Sequence, residues 1–241
     1  MARQLLLAYF QHTEAVMQAM ESVPKYGNGK VTVGVLVEGS DQTELFLNQL
    51  ASARKQGISP NKFAVFTTST QVQNDLSKTG VKVVCLPFLA GLGKDIALPE
   101  RYRRHFLQAW LAFSTANALI KMMWASPATI WMERPDNIIK AFPVTETAWT
   151  FKGRRDKRAA PFFISLDFFT AVAVERPVHL LHELILHFDL VLAWDSLDAV
   201  ASYRLTENNS RYGTTTYIYP PYQVLHSELM SHDPNKVSSV L

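Results

Sequence analysis

The chain has 241 residues, 48% of them apolar, and a formal net charge of +3 at pH 7. This length suits one α/β domain with a sizeable core, and the small positive excess permits an anionic partner without requiring one. The single cysteine, Cys85, excludes an internal disulfide, and no apolar run reaches the roughly 20 residues of a membrane-spanning helix.

The first predicted element is a helix over residues 2–22, which ends before Pro24. Its apolar residues are Leu5, Leu6, Tyr9, Phe10, Val16 and Met20. An isolated short helix would expose this apolar cluster to water, so we expect another surface to cover the cluster. We interpret residues 1–24 as an N-terminal helical arm that docks on the domain or on a partner, and we expect other chains to cover it.

Strands and helices alternate over the next part of the chain. Strands are predicted at 31–37, 63–67 and 81–86, with helices at 40–56 and 70–78. Alternation with elements of this length indicates βαβ units and a parallel sheet, so the fold class is α/β. Cys85 lies in the apolar run of the third strand and is expected to be a buried, unreactive thiol.

Residues 88–104 predict a loop that carries three arginines, and a helix follows over 105–119. A buried strand at 120–125 then delivers Ser126, Pro127 and Ala128 to the carboxyl edge of the sheet, where open α/β sheets bind ligands.

The pattern is looser after Pro135. Strands are predicted at 147–151 and within 161–174, a helix at 177–188, and a short strand or helix at 190–200. The α/β domain is assigned to 25–203, and a C-terminal tail over 204–241 is expected to wrap the domain or a partner. Tyr217, Tyr219 and Tyr222 in this tail suit an interface, because Tyr combines a large apolar area with a polar tip.

Two stretches resemble the nucleotide-diphospho-sugar transferases of glycosyltransferase family 77. One is the order and spacing of the strands and helices over Val31–Pro87. The other follows the strand at 120–125, which in that family typically ends in Asp-x-Asp, then two apolar residues, a Trp and, four residues later, a Pro. Trp131 and Pro135 keep this spacing, whereas Ser126 and Ala128 stand at the two Asp positions.

The resemblance implies a GT-A fold, which is a Rossmann-like, mainly parallel twisted sheet with helices on both faces. In such enzymes the two carboxylates hold a divalent metal that neutralises the leaving diphosphate. Their replacement by Ser126 and Ala128 implies a degenerate nucleotide-sugar site, with no catalytic residue, no metal and no cofactor.

Two further family elements are also altered. The Asn-x-Gly that precedes an Arg-Pro pair corresponds to Phe169 and Ala171, and the Asp-Gln pair after the next helix corresponds to Asp195-Ser196, where Asp195 fits and the Gln is lost. An apolar framework survives substitution more readily than a polar site does, because a core needs mainly volume and pattern.

Two alternative metal sites are open at this point. Glu133 and Asp136 supply carboxylates one turn after the lost motif, if their loop folds back. His179, His182 and Glu183 could share one helix face by the i, i+3, i+4 rule. In both cases the ordinary interpretation is a solvated loop or a half-exposed helix.

The basic loop over 152–158 offers a contact for an anion through Arg154, Arg155, Lys157 and Arg158. Phosphate, nucleic acid and an anionic lipid headgroup are the alternatives, and no recognised RNA-binding signature strengthens any of them over a solvated loop.

The leading hypothesis is a catalytically inactive glycosyltransferase-like protein that serves as an accessory subunit of a larger intracellular assembly, with other protein subunits as its partners. It would be soluble or associated with a membrane complex, in the mitochondrion or, alternatively, the cytoplasm. The second hypothesis is an active nucleotide-sugar-dependent glycosyltransferase with a metal-independent site. A nucleic-acid-associated protein is the third.

Overall fold

The computed structural model describes residues 1–24, 31–140, 147–151, 164–171, 175–212 and 216–219. The helices are α1 (Ala2–Met20), α2 (Ser40–Lys55), α3 (Thr70–Leu76), α4 (Glu100–Asn117), α5 (Pro135–Lys140), α6 (Glu175–Leu186), α7 (Phe188–Trp194) and α8 (Leu197–Tyr212). The strands are β1 (Thr32–Leu36), β2 (Phe63–Thr67), β3 (Lys82–Cys85), β4 (Met122–Ala125), β5 (Thr147–Phe151), β6 (Ile164–Ala171) and β7 (Thr216–Tyr219).

All of these strands join one sheet in the order β3-β2-β1-β4-β6-β5-β7. The first four in this order are parallel, β6 is antiparallel to both β4 and β5, and β7 is parallel to β5. The predicted α/β fold with a mainly parallel sheet is therefore confirmed. Because the chain winds outward from β1 through β3 and then returns to β4, the strand order reverses between β1 and β4. A crevice for ligands is expected at this point.

Hydrophobic cores lie on both faces of the sheet, because consecutive strand residues point to opposite faces. Val33 and Val35 of β1 belong to the core that contains Phe46 of α2, whereas Leu36 belongs to the core that contains Trp110 of α4. Gly34 of β1 leaves room for the Met122 side chain of β4, since a Cβ atom at position 34 would lie 2.3 Å from Met122 Sδ.

The N-terminal helix is part of the second of these cores. Leu5 and Tyr9 of α1 are only 1% and 4% exposed, and the Tyr9 ring packs edge-on against Trp110 with 5.3 Å between ring centroids. The helix contacts α4 and α7 of its own chain. The prediction that other chains cover this helix is therefore wrong for its main apolar face. Its opposite face exposes Leu7 and Phe10.

The C-terminal part also differs from the sequence-based division. Helix α8 runs through the expected boundary at residue 204, and β7, placed in the tail, pairs with β5 within the sheet. Residues 190–194 belong to α7 and residues 197–200 to α8, so the alternative of a strand there is wrong. Tyr222 lies outside the described residues.

Helix α4 begins at Glu100, earlier than the predicted start at 105. The arginines assigned to a loop therefore lie on its first turns, with Glu100 next to the partial positive charge of the helix N-terminus. Among the described helices, none combines the length and the apolar character needed to cross a lipid bilayer.

Candidate functional site

The crevice between β1 and β4 opens at the carboxyl ends of the strands. Its cleft has a volume of about 160 Å³, with Ser126, Pro127 and Ala128 after β4 on one side and Gln42 of α2 and Arg104 of α4 on the other. A more open cleft of about 450 Å³ also borders Gln42 and Arg104 and extends along the first turns of α2 and α4. The expected site region is thus a pair of neighbouring clefts.

The segment at the lost Asp-x-Asp position forms a tight turn. The Ser126 Oγ accepts a hydrogen bond from the Ala128 backbone N–H at 3.2 Å, and the Ser126 carbonyl accepts one from the Thr129 N–H at 3.0 Å. Ala128 offers no side-chain ligand and Pro127 has no N–H to donate. Neither Ser126 nor Ala128 therefore supplies the carboxylate that a hard divalent cation prefers.

The side chain of Gln49 in α2 stabilises this turn. The sequence analysis did not single out Gln49 as a site residue. Its side chain is fully buried. With its amide oriented to satisfy both neighbours, it donates to the Ser126 carbonyl at 3.3 Å and accepts from the Trp131 Nε1–H at 3.3 Å. Its position between Phe46 and Leu50 on the inner face of α2 is the sequence signal that could have marked it.

Trp131 and Pro135 are anchors in the core. Trp131 is 3% exposed, its backbone N–H donates to the Ser52 Oγ at 3.1 Å, and its ring packs edge-on against Phe63. Pro135 is buried at the first residue of α5. Trp131 thus attaches the loop after β4 to α2 and β2, so this residue serves packing in this structure.

Two carboxylates near this edge are paired with cations. Glu38, two residues after β1, forms an ion pair with Arg103 of α4 at 3.0 Å and accepts a hydrogen bond from the Thr68 hydroxyl at 3.0 Å. Asp136 pairs with Lys62 at 3.4 Å. The alternative of a metal held by Glu133 and Asp136 is thus disfavoured, since Asp136 is paired and Glu133 is exposed. Within the described ranges, no group of three His, Cys, Asp or Glu residues is arranged to hold a metal.

Asp195 ends α7 in the left-handed conformation, with φ of 53°. Its carboxylate accepts hydrogen bonds from Arg101 at 2.9 Å and from the Tyr102 hydroxyl at 2.5 Å. Arg101 also lines the larger cleft, which brings Asp195 to the edge of the candidate site. The sequence singled out Asp195 but not these partners, because it placed Arg101 and Tyr102 in a loop.

The histidines of α6 are divided between two environments. His187 and His179 flank Glu183, with nitrogen–oxygen distances of 3.3 Å and 3.9 Å. His182 instead stacks on Phe113, with 4.8 Å between ring centroids, and burial lowers its pKa. The alternative of a metal held by His179, His182 and Glu183 is therefore disfavoured, because the His182 ring is engaged by Phe113.

Several other predicted residues have simpler outcomes. Phe169, at the family's Asn position, is fully buried in β6 and stacks on Trp124. Cys85 is half-buried, so the prediction of a buried thiol is wrong, but its partial burial raises the pKa of the thiol, in agreement with the expected lack of reactivity. The basic residues Arg154, Arg155, Lys157 and Arg158 lie outside the described residues, as does the side chain of Ala171.

The fold is similar to that of a solved sugar transferase. Mouse xyloside xylosyltransferase 1 in its apo form matches with a TM-score of 0.51 and 8% identity, over 88% of this chain and 93% of that one. The glycosyltransferase PaToxG gives a TM-score of 0.46 at 7% identity, over 99% and 84% of the two chains. The inositol-1-phosphate CTP transferase from T. maritima gives 0.40 at 12% identity, over 80% and 86%. No protein-family model and no curated protein matches the sequence. The chain therefore has a glycosyltransferase-like fold.

Proposed function

We propose that this chain is a catalytically inactive glycosyltransferase-like protein that serves as an accessory subunit of a larger intracellular assembly. The observation that carries the proposal is the turn after β4. Ser126 and Ala128 stand where a metal-dependent transferase of the resembled family has two carboxylates, and the Ser126 Oγ already accepts a backbone hydrogen bond.

The loss matters because sugar transfer from a nucleotide sugar leaves a diphosphate with concentrated negative charge. A divalent metal stabilises that charge in the transition state by several kcal/mol, which corresponds to about a thousandfold in rate or more. Two other carboxylates near this edge are already paired, Glu38 with Arg103 and Asp136 with Lys62.

An accessory role is supported by the outer face of α1. Its exposed Leu7, together with Phe88 on the neighbouring segment after β3, borders a groove of about 300 Å³. Phe10 is 66% exposed on the same helix. Apolar side chains gathered in this way are typical of a surface that another protein covers.

The proposal is tested by assaying the purified chain for hydrolysis and transfer with uridine and guanosine diphosphate sugars, with and without manganese. We expect turnover no higher than background. The variant Ser126→Asp/Ala128→Asp should remain inactive, because the other polar residues of the family's site are also altered. Native gel filtration of cell extract should place the chain in a complex. Metal-dependent turnover by the unmodified chain, or its migration as a free monomer in extract, would each contradict the proposal.

The second candidate is a metal-independent glycosyltransferase. Arg101 and Arg104 favour it, because both line the larger cleft and a guanidinium can neutralise a diphosphate without a metal. Turnover in the presence of a chelator, without added metal, would support this alternative. Arg104→Ala should then abolish the turnover, whereas Arg54→Ala, on the exposed end of α2, should keep it.

A further inference from the structure

The outer face of α1 carries four exposed residues in one row, which are Arg3, Leu7, Phe10 and Glu14. With 3.6 residues per turn, these positions fall within about 60° of the helix circumference, so they form a narrow stripe. Leu7 and Phe10, which are 58% and 66% exposed, lie in its middle, and Arg3 and Glu14 lie at its two ends. We call these four residues the outer stripe.

The outer stripe is rigidly presented and has no cover within its own chain. Leu5 and Tyr9 fix the helix, because both are buried in the core on its opposite face. Within the part of the chain that the structure describes, neither Arg3 nor Glu14 forms an ion pair. Two large apolar side chains one turn apart, with an unused charge of opposite sign at each end, are typical of a contact surface.

The spacing of the outer stripe is that of a coiled-coil seam. Its residues follow one another by four, three and four positions, as a and d residues of a heptad do. In an antiparallel pair of such helices, each a residue meets a d residue of the other helix. Leu7 then meets Phe10 of a second copy, and Arg3 meets Glu14 of that copy. Both contacts form in the same register, because each is centred between residues 8 and 9.

We propose that the outer stripe binds a second copy of this chain in an antiparallel, two-fold symmetric pair. In such a pair every contact occurs twice, so two Leu7–Phe10 contacts form the centre and an Arg3–Glu14 ion pair closes each end. The charges also fix the orientation. A parallel pair would place Arg3 against Arg3 and Glu14 against Glu14, and such like-charge contacts are unfavourable.

This self-complementarity identifies the occupant of the face. An unrelated protein would have to supply its own matching row of an acidic residue, two apolar residues and a basic residue, whereas a second copy supplies it necessarily. The inference goes beyond the proposed function, since pairing of two copies requires neither the loss of catalysis nor a further subunit.

The test is sedimentation velocity of the purified full chain from about 1 μM to 1 mM. We expect a monomer–dimer equilibrium with a dissociation constant on the order of 10–100 μM, because one helix from each copy makes a small interface. Phe10→Ser should raise this constant at least tenfold, since it removes apolar area from the centre. Lys55→Glu, an exposed change on α2 at the other face of the sheet, is the control and should leave the constant unchanged.

Two charge reversals test the ion pairs at the ends of the outer stripe. Arg3→Glu and Glu14→Arg should each raise the dissociation constant about tenfold when studied alone, because like charges then meet. An equimolar mixture of the two variants should associate about as tightly as the unmodified chain, since each acidic residue again faces an arginine. Both positions are exposed, so neither change should affect folding.

Cross-linking tests the antiparallel orientation. Arg3→Cys and Glu14→Cys, each combined with Cys85→Ala, are treated with a short bismaleimide. We expect a covalent dimer in the mixture of the two variants and far less with either variant alone. In an antiparallel pair, two copies of one position lie roughly 16 Å apart along the helix axis.

Three results would overturn the inference. The first is a monomer at about 1 mM, ten times the weakest expected constant. The second is a dimer whose dissociation constant Phe10→Ser and Arg3→Glu both leave unchanged. The third is a mixture of Arg3→Glu and Glu14→Arg that associates no more tightly than either variant alone. None of these results bears on the proposed function, which is tested by turnover and by the size of the complex in cell extract.

Discussion

Glu38 and Arg103 form an ion pair at 3.0 Å that joins the end of β1 to the start of α4. The Glu38 side chain is 1% exposed and that of Arg103 is 15% exposed, so the pair is largely removed from water. The Thr68 hydroxyl after β2 donates to the same carboxylate. Two strand ends and one helix are thereby fixed together at the edge of the candidate site.

Removal of one member of this pair should strongly destabilise the fold. Arg103→Ala leaves the Glu38 carboxylate buried without its counter-charge, and we expect the free energy of unfolding to fall by about 3 kcal/mol. The double variant Glu38→Ala/Arg103→Ala should lose less than the sum of the single changes, because no unpaired charge remains. Urea denaturation measures both.

The matched control is Arg101→Ala, which breaks the half-exposed ion pair with Asp195 on the same helix. We expect it to lower the free energy of unfolding by no more than about 1 kcal/mol, since water screens that pair. Equal losses for Arg101→Ala and Arg103→Ala would contradict a special role for the buried pair.

Gln49 should hold the turn after β4. Gln49→Leu leaves the Ser126 carbonyl and the Trp131 indole N–H without this partner in the interior, and we expect a loss of about 1–3 kcal/mol in urea denaturation. Gln71→Ala is the control, because Gln71 makes an exposed hydrogen bond to Asp75 within α3. If the two variants proved equally stable, Gln49 would have no such role.

Much of the parallel half of the fold could be predicted from the sequence. The valines of β1 and the apolar spacing of α2 are local patterns, and each pattern alone indicates its element. The strand at 63–67 agrees with β2 in both bounds. The order of the strands follows from alternation of strands and helices together with short connections.

The site was less predictable because its contacts join residues distant in the chain. Arg101 pairs with Asp195 only because α4 starts at Glu100 and packs beside α7, and a run of arginines gave no local sign of that start. Gln49 and Trp131 meet across two elements in the same way. The family resemblance identified the altered carboxylate positions, but not the groups that now engage the turn.

Gly34 should be required to accommodate the side chains of Met122 and Trp124 beside β1. A Cβ atom there would lie 2.3 Å from Met122 Sδ and 3.2 Å from Trp124 Cε3. Gly34→Ala must therefore displace core side chains, and we expect it to cost about 1–3 kcal/mol in urea denaturation. Gly91→Ala, where a Cβ atom would meet nothing within 4 Å, is the control and should cost far less. A smaller loss for Gly34→Ala than for Gly91→Ala would contradict this account.

His182 links three helices through aromatic contacts. Its ring stacks on Phe113 of α4 at 4.8 Å and lies 6.0 Å from the Tyr9 ring of α1. Burial lowers the pKa of His182 below its ordinary value of 6.5, and the neighbouring Glu183 only partly opposes this, while His179 adds to it. The folded protein therefore favours the neutral imidazole.

Acidification should destabilise the protein through this residue. Because the pKa of His182 is lower in the folded than in the unfolded state, the unfolded state binds more protons as the pH falls below 6.5, and stability is lost in that direction. We expect His182→Phe, which keeps the stacking on Phe113, to lose less stability than the unmodified protein between about pH 7.5 and pH 5.5, the range in which histidine titrates. Urea unfolding at both pH values measures the difference, with His12→Phe as a control on the outer part of α1. An identical pH dependence in the unmodified protein and His182→Phe would show that His182 does not link protonation to folding.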